Sequence, residues 1–276
     1  MRKLPAGREG NISRRVTSPS RSVAASSGKL KQADARAAIV FVHGFALDAR
    51  QWRRQVEAFD ADYRVLTLDL PGFGPQAREG GDVRPAAEVA RAMKVAGIER
   101  AHLVGSSYGG AVAIDFALQF PKQLASLTLA SPLLLGRRTG IEAWSRCISL
   151  ANEGDRATAI EVWLDDPLFS GIRTDEELYE EVRTIALDYG AGHWTGAVVA
   201  KWSEPDPAHR LASIETPTLV LSGKNDTKSF VTMADAIGKA MPNARRAHID
   251  GAAHYPNMER AEAFNAALAD FLKAKA

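Results

Sequence analysis

The sequence predicts an α/β fold: a mainly parallel, doubly wound sheet carrying an inserted helical segment. Three observations predict it. Short β-branched and apolar runs alternate with amphipathic helical ones through most of the chain, and that alternation is broken once by a long stretch of helical pattern. The reactive side chains fall just beyond the carboxyl ends of the strand runs. Strand–helix alternation implies parallel strands joined by crossover helices that cover both faces of the sheet. Ligands bind such sheets beyond the carboxyl ends of the strands.

The strand patterns are Ile39 to His43, Arg64 to Leu68, Ala101 to Val104, Ser126 to Ala130, Thr218 to Leu221 and Ala247 to Asp250. Each is a short apolar run with turn residues nearby, the signature of a buried strand. Amphipathic segments near 51–59, 85–97, 109–120, 229–241 and 260–273 lie between and after them. Residues 36–132 and 209–276 are therefore expected to form the α/β core. Residues 133–208 read as a helical cap over the site, with helices near 138–153, 155–165, 174–189 and 193–202 and turns at Asp166-Pro167 and Pro205-Asp206-Pro207. Four of the five tryptophans (Trp144, Trp163, Trp194, Trp202) fall in this cap with Phe169, Tyr179 and Tyr189. They either join the cap helices to the core or line an apolar pocket, the usual wall of a small-molecule site.

A chain of 276 residues with 46% hydrophobic and 25% charged residues has the makeup of a soluble globule. No apolar run approaches the roughly 18 to 20 residues needed to span a bilayer. The single cysteine, Cys147, excludes an internal disulfide and a multi-cysteine metal cluster. It suits a reducing compartment, and a cytoplasmic location is expected. Residues 1–37 carry nine Lys or Arg against Glu9 and Asp34, so the rest of the chain is net acidic. Residues 1–35 are expected to form a basic, disordered tail, because they are rich in Ser, Arg and Gly and lack apolar periodicity. Part of 16–33 is an alternative source of further strands. The tail has no apolar core of a secretory signal, although its Arg- and Ser-rich, acid-poor makeup is shared with transit peptides. It has no interleaved aromatics, and no nucleic-acid partner is expected. No metal-ligand spacing, Walker loop or dinucleotide fingerprint occurs, so no cofactor and no metal is expected.

Gly105-Ser106-Ser107-Tyr108-Gly109 is a G-x-S-x-G between a strand pattern and a helical one. In that setting a sharp turn lifts the serine hydroxyl above the sheet. The turn leaves little room for a side chain at 105 or 109. The helix that follows aims free N–H groups at the same point and favours negative charge there.

A serine hydroxyl is a poor nucleophile unless a base takes its proton, and an acid must hold that base in one tautomer. Asp226, in the turn after Thr218 to Leu221, and His254, after Ala247 to Asp250, supply both. Glu215, Asp235 and Asp250 are the rival acids, and the loop after Ala130 offers only Ser131. His102 and His248 lie inside strands, while His193 and His209 belong to the middle region and its exit. His43, at the end of the first strand, is read as shaping the loop that follows. The N–H groups of Phe45 and Tyr108 are the candidate oxyanion donors.

These residues resemble the α/β-hydrolase superfamily, in particular its small, capped esterases. The resemblance covers about residues 37 to 276. It rests on His43-Gly44-Phe45, Asp69-Leu70-Pro71-Gly72-Phe73-Gly74, the elbow at Ser107, Gly223-Lys224-Asn225-Asp226 and Gly251-Ala252-Ala253-His254. The order Ser107, Asp226, His254 is that of this family. Pro75-Gln76 stands where relatives commonly have a serine, and Ala253 and Tyr255 flank a histidine that relatives often place between Gly and Trp or Phe. The resemblance implies a cofactor-free serine hydrolase that cleaves a small apolar carboxylic ester. The alternatives are C–C or amide hydrolysis, perhydrolysis, or a binding protein with little turnover.

Overall fold

The computed structural model describes residues 36–75, 80–204 and 206–274. The tail assigned to 1–35, and any strand within it, lies outside the described residues. In chain order the elements are β1 (Ala38–Val42), α1 (Arg53–Phe59), β2 (Arg64–Leu68), β3 (Gly81–Val83), α2 (Pro85–Val95), β4 (Ala101–Ser106), α3 (Tyr108–Gln119) and β5 (Leu124–Ala130). The insert follows as α4 (Trp144–Asn152), α5 (Arg156–Leu164), α6 (Glu176–Leu187), α7 (Gly192–Thr195) and β6 (Val198–Ala200). The chain closes with β7 (Thr218–Gly223), α8 (Lys228–Ala240), β8 (Ala244–Ile249), α9 (Pro256–Glu259) and α10 (Ala261–Lys273).

Six strands form one parallel sheet in the order β2-β1-β4-β5-β7-β8. The central strands β1, β4 and β7 are buried along their whole length, which explains their unbroken apolar runs; the edge strands β2 and β8 are partly exposed. Successive residues of β1 serve opposite faces. Val40 and Val42 belong to the buried cluster that includes residues of α2, α3 and α8, whereas Ile39 and Phe41 belong to the one that includes Trp52, Phe59 and Phe264 and Leu268 of α10. The strand order reverses between β1 and β4, because β2 lies outside β1 while the later strands add on the other side. That reversal opens a crevice at the carboxyl ends of β1 and β4.

The insert begins its helices with aspartates. Asp155 accepts from Thr158 N–H at 3.1 Å at the start of α5, and Asp175 from Leu178 N–H at 3.0 Å at the start of α6. It is not wholly helical. The helix expected near 193–202 stops at Thr195, where Gly196 takes φ +74°, and Val198–Ala200 instead pairs in parallel with β3. The consecutive β-branched Val198 and Val199 favour that extended form. Neither short strand carries enough alternation to be read from the chain.

The elbow requires close backbone contact. A Cβ on Gly109 would collide with the carbonyl oxygens of Val42 and His43, and one on Gly105 with the Gly109 carbonyl. Gly109→Ala is expected to destabilise the fold by about 3 kcal/mol, since rigid backbone lies in the way. Gly190→Ala, where a Cβ meets nothing within 4 Å, should change stability by less than about 1 kcal/mol. Urea midpoints of the two variants check the contrast.

Candidate active site

Ser107 sits between β4 and α3 with φ 52° and ψ −113°, a conformation that costs a non-glycine residue about 1–3 kcal/mol. Its own backbone holds it there. Its N–H donates to Ala130 O at 2.9 Å, and its carbonyl accepts from Gly110 N–H at 2.9 Å and Leu133 N–H at 3.0 Å. The end of β5 and the loop beyond it therefore brace the turn.

His254 lies in the loop after β8 and is wholly buried. Its Nε2 is 2.9 Å from Ser107 Oγ, and its Nδ1 is 3.0 and 3.2 Å from the two oxygens of Asp226. A carboxylate only accepts, so Nδ1 carries the proton and Nε2 is left to accept from the serine hydroxyl. The Asp226 side chain is fully buried and also accepts from Thr227 N–H at 2.7 Å. The ring edges of Phe230 and Tyr255, at centroid distances of 4.3 and 4.9 Å, confine the imidazole.

This meeting depends on Gly223, at the end of β7. A Cβ there would strike the carbonyl oxygens of Ala252 and Ala253, so its absence lets the histidine loop lie against the strand that presents Asp226. The rival acids are engaged elsewhere: Asp235 pairs with Arg246 at 3.0 Å and Asp250 with Lys224 at 2.7 Å. Glu215 precedes β7, at the end of that strand opposite to Asp226.

His43 shapes its loop. Its Nδ1 donates to Gly44 O at 2.8 Å and its Nε2 accepts from Leu70 N–H at 2.9 Å. Burial pushes its ionisation below the usual imidazole range, opposed by the Gly44 carbonyl and by Asp69 and Asp48. The N–H groups of Phe45 and Tyr108 have no acceptor among the described residues.

Two supporting residues escape sequence reasoning. Gln51, buried, accepts from Gly44 N–H at 2.7 Å and donates to Asn257 Oδ1 at 3.3 Å, linking the Phe45 loop to α9. Glu259 accepts from Ala253 N–H at 2.5 Å and Tyr255 N–H at 2.8 Å, clasping the backbone on both sides of His254. Burial raises its ionisation, and those two N–H donors oppose the rise.

A cavity of about 480 Å³ opens beside Ser107, lined by Phe45, Tyr108, Trp144, Trp163, Trp202 and Phe230 among others. Phe45 lies at its centre of aromatic contact, with ring centroids 5.0 Å from Trp144, 5.4 Å from Trp163 and 5.4 Å from Phe73. Three of the four tryptophans within residues 133–208 line this space; Trp194 packs behind, 5.1 Å from Tyr189. His193 also lines the cavity, stacked 4.4 Å from Phe73. Burial, with a smaller effect from His43, pushes its ionisation down to about 4.

Glu259→Gln leaves one acceptor oxygen for two N–H groups. It is expected to cost about 1–3 kcal/mol of stability and to lower kcat more than it raises KM, as thermal melts and steady-state kinetics would reveal. His193 binds a proton more readily unfolded, near 6.5, than folded, near 4. Stability should therefore fall as the pH drops from about 6.5 to 4, by about 3 kcal/mol from this residue. Chemical denaturation across that range, with His193→Phe as the flattened comparison, measures it.

A model described as the alpha/beta hydrolase family matches residues 39–267. The chain is 30% identical over 264 residues to a 2-hydroxy-6-oxononadienedioate/2-hydroxy-6-oxononatrienedioate hydrolase of Burkholderia vietnamiensis, covering 86% of this chain and 87% of that one. It is 30% identical over 257 residues to a 2-hydroxy-6-oxo-6-phenylhexa-2,4-dienoate hydrolase of Comamonas testosteroni, again covering 86% and 87%. A solved thermophilic esterase from Thermogutta terrifontis superposes with a TM-score of 0.74 at 28% identity, over 87% of this chain and 90% of that one. With the parallel sheet and the strand–turn–helix at Ser107, the match over most of its length means that the chain belongs to the alpha/beta hydrolase family.

Proposed function

We propose that this hydrolase cleaves a small carboxylic ester with an apolar acyl or alcohol group, through an acyl-enzyme on Ser107. One observation carries the reading: the continuous line from Ser107 Oγ through His254 to Asp226, at 2.9 and 3.0 Å. In this mechanism Ser107 Oγ attacks the ester carbonyl while its proton passes to His254 Nε2. Asp226 stabilises the imidazolium. The alkoxide of the tetrahedral intermediate accepts from the N–H groups of Phe45 and Tyr108, each such donor being worth about 3–4 kcal/mol. As the intermediate collapses, His254 returns the proton to the departing alcohol. Water, deprotonated by the same nitrogen, then releases the acid and restores Ser107.

The apolar lining of the cavity supports a small hydrocarbon-rich substrate, as does the likeness to an esterase. A second reading has its own support. Two relatives are named as hydrolases of unsaturated 2-hydroxy-6-oxo carboxylic acids, which supports C–C hydrolysis as the second reading. The same three side chains would serve it.

Ser107→Ala is expected to lower ester kcat on the order of 10⁵-fold without shifting the melting temperature downward. A fluorophosphonate probe should label the parent and not the variant. A series of p-nitrophenyl esters of rising acyl length, run beside a vinylogous diketone, separates the two readings. Absence of both labelling and turnover would leave a binding protein.

A further inference from the structure

We infer that Gly171 and Phe169, both in the insert, are positioning residues for His254. The proposed triad is then held in register only while residues 166–174 rest on the histidine loop. This rests on the roles read for Ser107, His254 and Asp226, and not on the choice of an ester as substrate.

The first observation is a glycine that its own backbone does not require. Gly171 has φ −67° and ψ −39°, a conformation open to any residue. A Cβ there would nonetheless collide with the Glu259 carboxylate and lie 3.0 Å from the Ala253 Cβ. That carboxylate cannot withdraw freely, because it accepts from the N–H groups of Ala253 and Tyr255 on either side of His254. The insert thus closes over the side chain that clasps the histidine loop. A larger residue at 171 would push the carboxylate off its two donors.

The second observation is an aromatic path to the same histidine. Phe169 is wholly buried, with its ring centroid 5.2 Å from that of Tyr255, which in turn lies 4.9 Å from the His254 ring. Phe169 also meets Trp163 at 5.8 Å, and both Trp163 and Leu168 line the cavity. The segment that carries these residues is fixed within the insert. Asp166 accepts from Ala143 N–H at 3.2 Å and Leu168 N–H at 3.1 Å. Arg173 donates to the carbonyls of Leu164 at 2.7 Å and Asp166 at 3.0 Å. Residues 166–174 therefore follow the insert as a unit. A close-packed interior transmits displacement, so a shift of the insert reaches His254 through the Glu259 and Tyr255 contacts.

A double-mutant cycle tests this with two readouts. One is the rate of fluorophosphonate labelling; the other is the low-field proton resonance of His254 Nδ1–H, identified by its loss in His254→Ala. Gly171→Ala is expected to slow labelling at least about tenfold, as a small misplacement of the base would, and to shift the resonance. It should lower kcat for p-nitrophenyl butyrate while changing KM less than about twofold. Glu259→Ala removes the obstacle, and in that background Gly171→Ala should slow labelling by less than about twofold and leave the resonance in place. Phe169→Leu keeps an apolar filling without the ring; it should also shift the resonance, and it stands in if Gly171→Ala fails to fold. Equal losses from Gly171→Ala with and without Glu259 overturn the inference, as does a resonance that neither Gly171→Ala nor Phe169→Leu moves. If the cycle holds but no ester is cleaved, the ester reading fails and the positioning roles stand. If esters are cleaved and the losses are equal, the positioning roles fail and the ester reading stands. In a chain that neither labels nor turns over, the resonance alone decides.

Discussion

Close approach of backbone to backbone at the carboxyl ends of the central strands is the constraint on which the site depends. Gly105 and Gly109 let the turn after β4 press against the carbonyls at the end of β1, and Gly223 lets the histidine loop press against the end of β7. Where a methyl group would intrude, the strands would have to separate, and the 2.9 Å contact between His254 and Ser107 would open. The strained backbone of Ser107 persists because hydrogen bonds from β5, α3 and the Leu133 loop all fix it. Packing thus holds the hydroxyl in place before any substrate arrives.

Behind this first layer lies a set of buried acceptors and amides that orient the loops. Gln51 occupies Gly44 N–H, while the next N–H, that of Phe45, has no acceptor among the described residues. Glu259 occupies the N–H groups before and after His254, so the loop cannot rotate without breaking two charge-assisted bonds. His43 closes its own loop through both ring nitrogens. Each of these groups spends its polarity on backbone, which keeps the surroundings of the proposed triad dry and rigid.

The insert is fastened by contacts of two unequal kinds. Arg50 bridges to Asp188 and Arg54 to Glu181, but the Arg50 pair is about two-fifths exposed on each side. Such surface pairs contribute between nothing and about 1 kcal/mol. The aromatic cluster around Phe45, with Trp144, Trp163, Tyr189 and Trp194 all within 5.8 Å of its ring, lies away from water and outweighs them. Asp115 in α3 adds a buried anchor by accepting from Ser203 N–H at 3.2 Å and Oγ at 2.5 Å. Phe45, Trp144 and Trp163 of this cluster also wall the cavity, so the contacts that attach the insert and those that shape the cavity share these rings.

The sheet was legible in the chain because buried parallel strands must be apolar throughout, and β1, β4 and β7 are. The convergence of Ser107, Asp226 and His254 was legible for a related reason: all three follow strands that run in one direction, and parallel strands end at one rim. Glu259 and Gln51 were not legible, since a side chain that serves the backbone of a distant loop leaves no local pattern. Nor was β6, whose partner β3 lies more than a hundred residues earlier and supplies the pairing that three residues alone cannot. By itself, then, the sequence determined which segments are strands of the six-stranded sheet and which reactive groups stand at their ends, because periodicity and turn chemistry are local. Only the tertiary structure decided which tryptophans face the cavity, that its described walls carry no charge, and which buried donors remain unpaired, because these depend on what distant segments bring against each side chain.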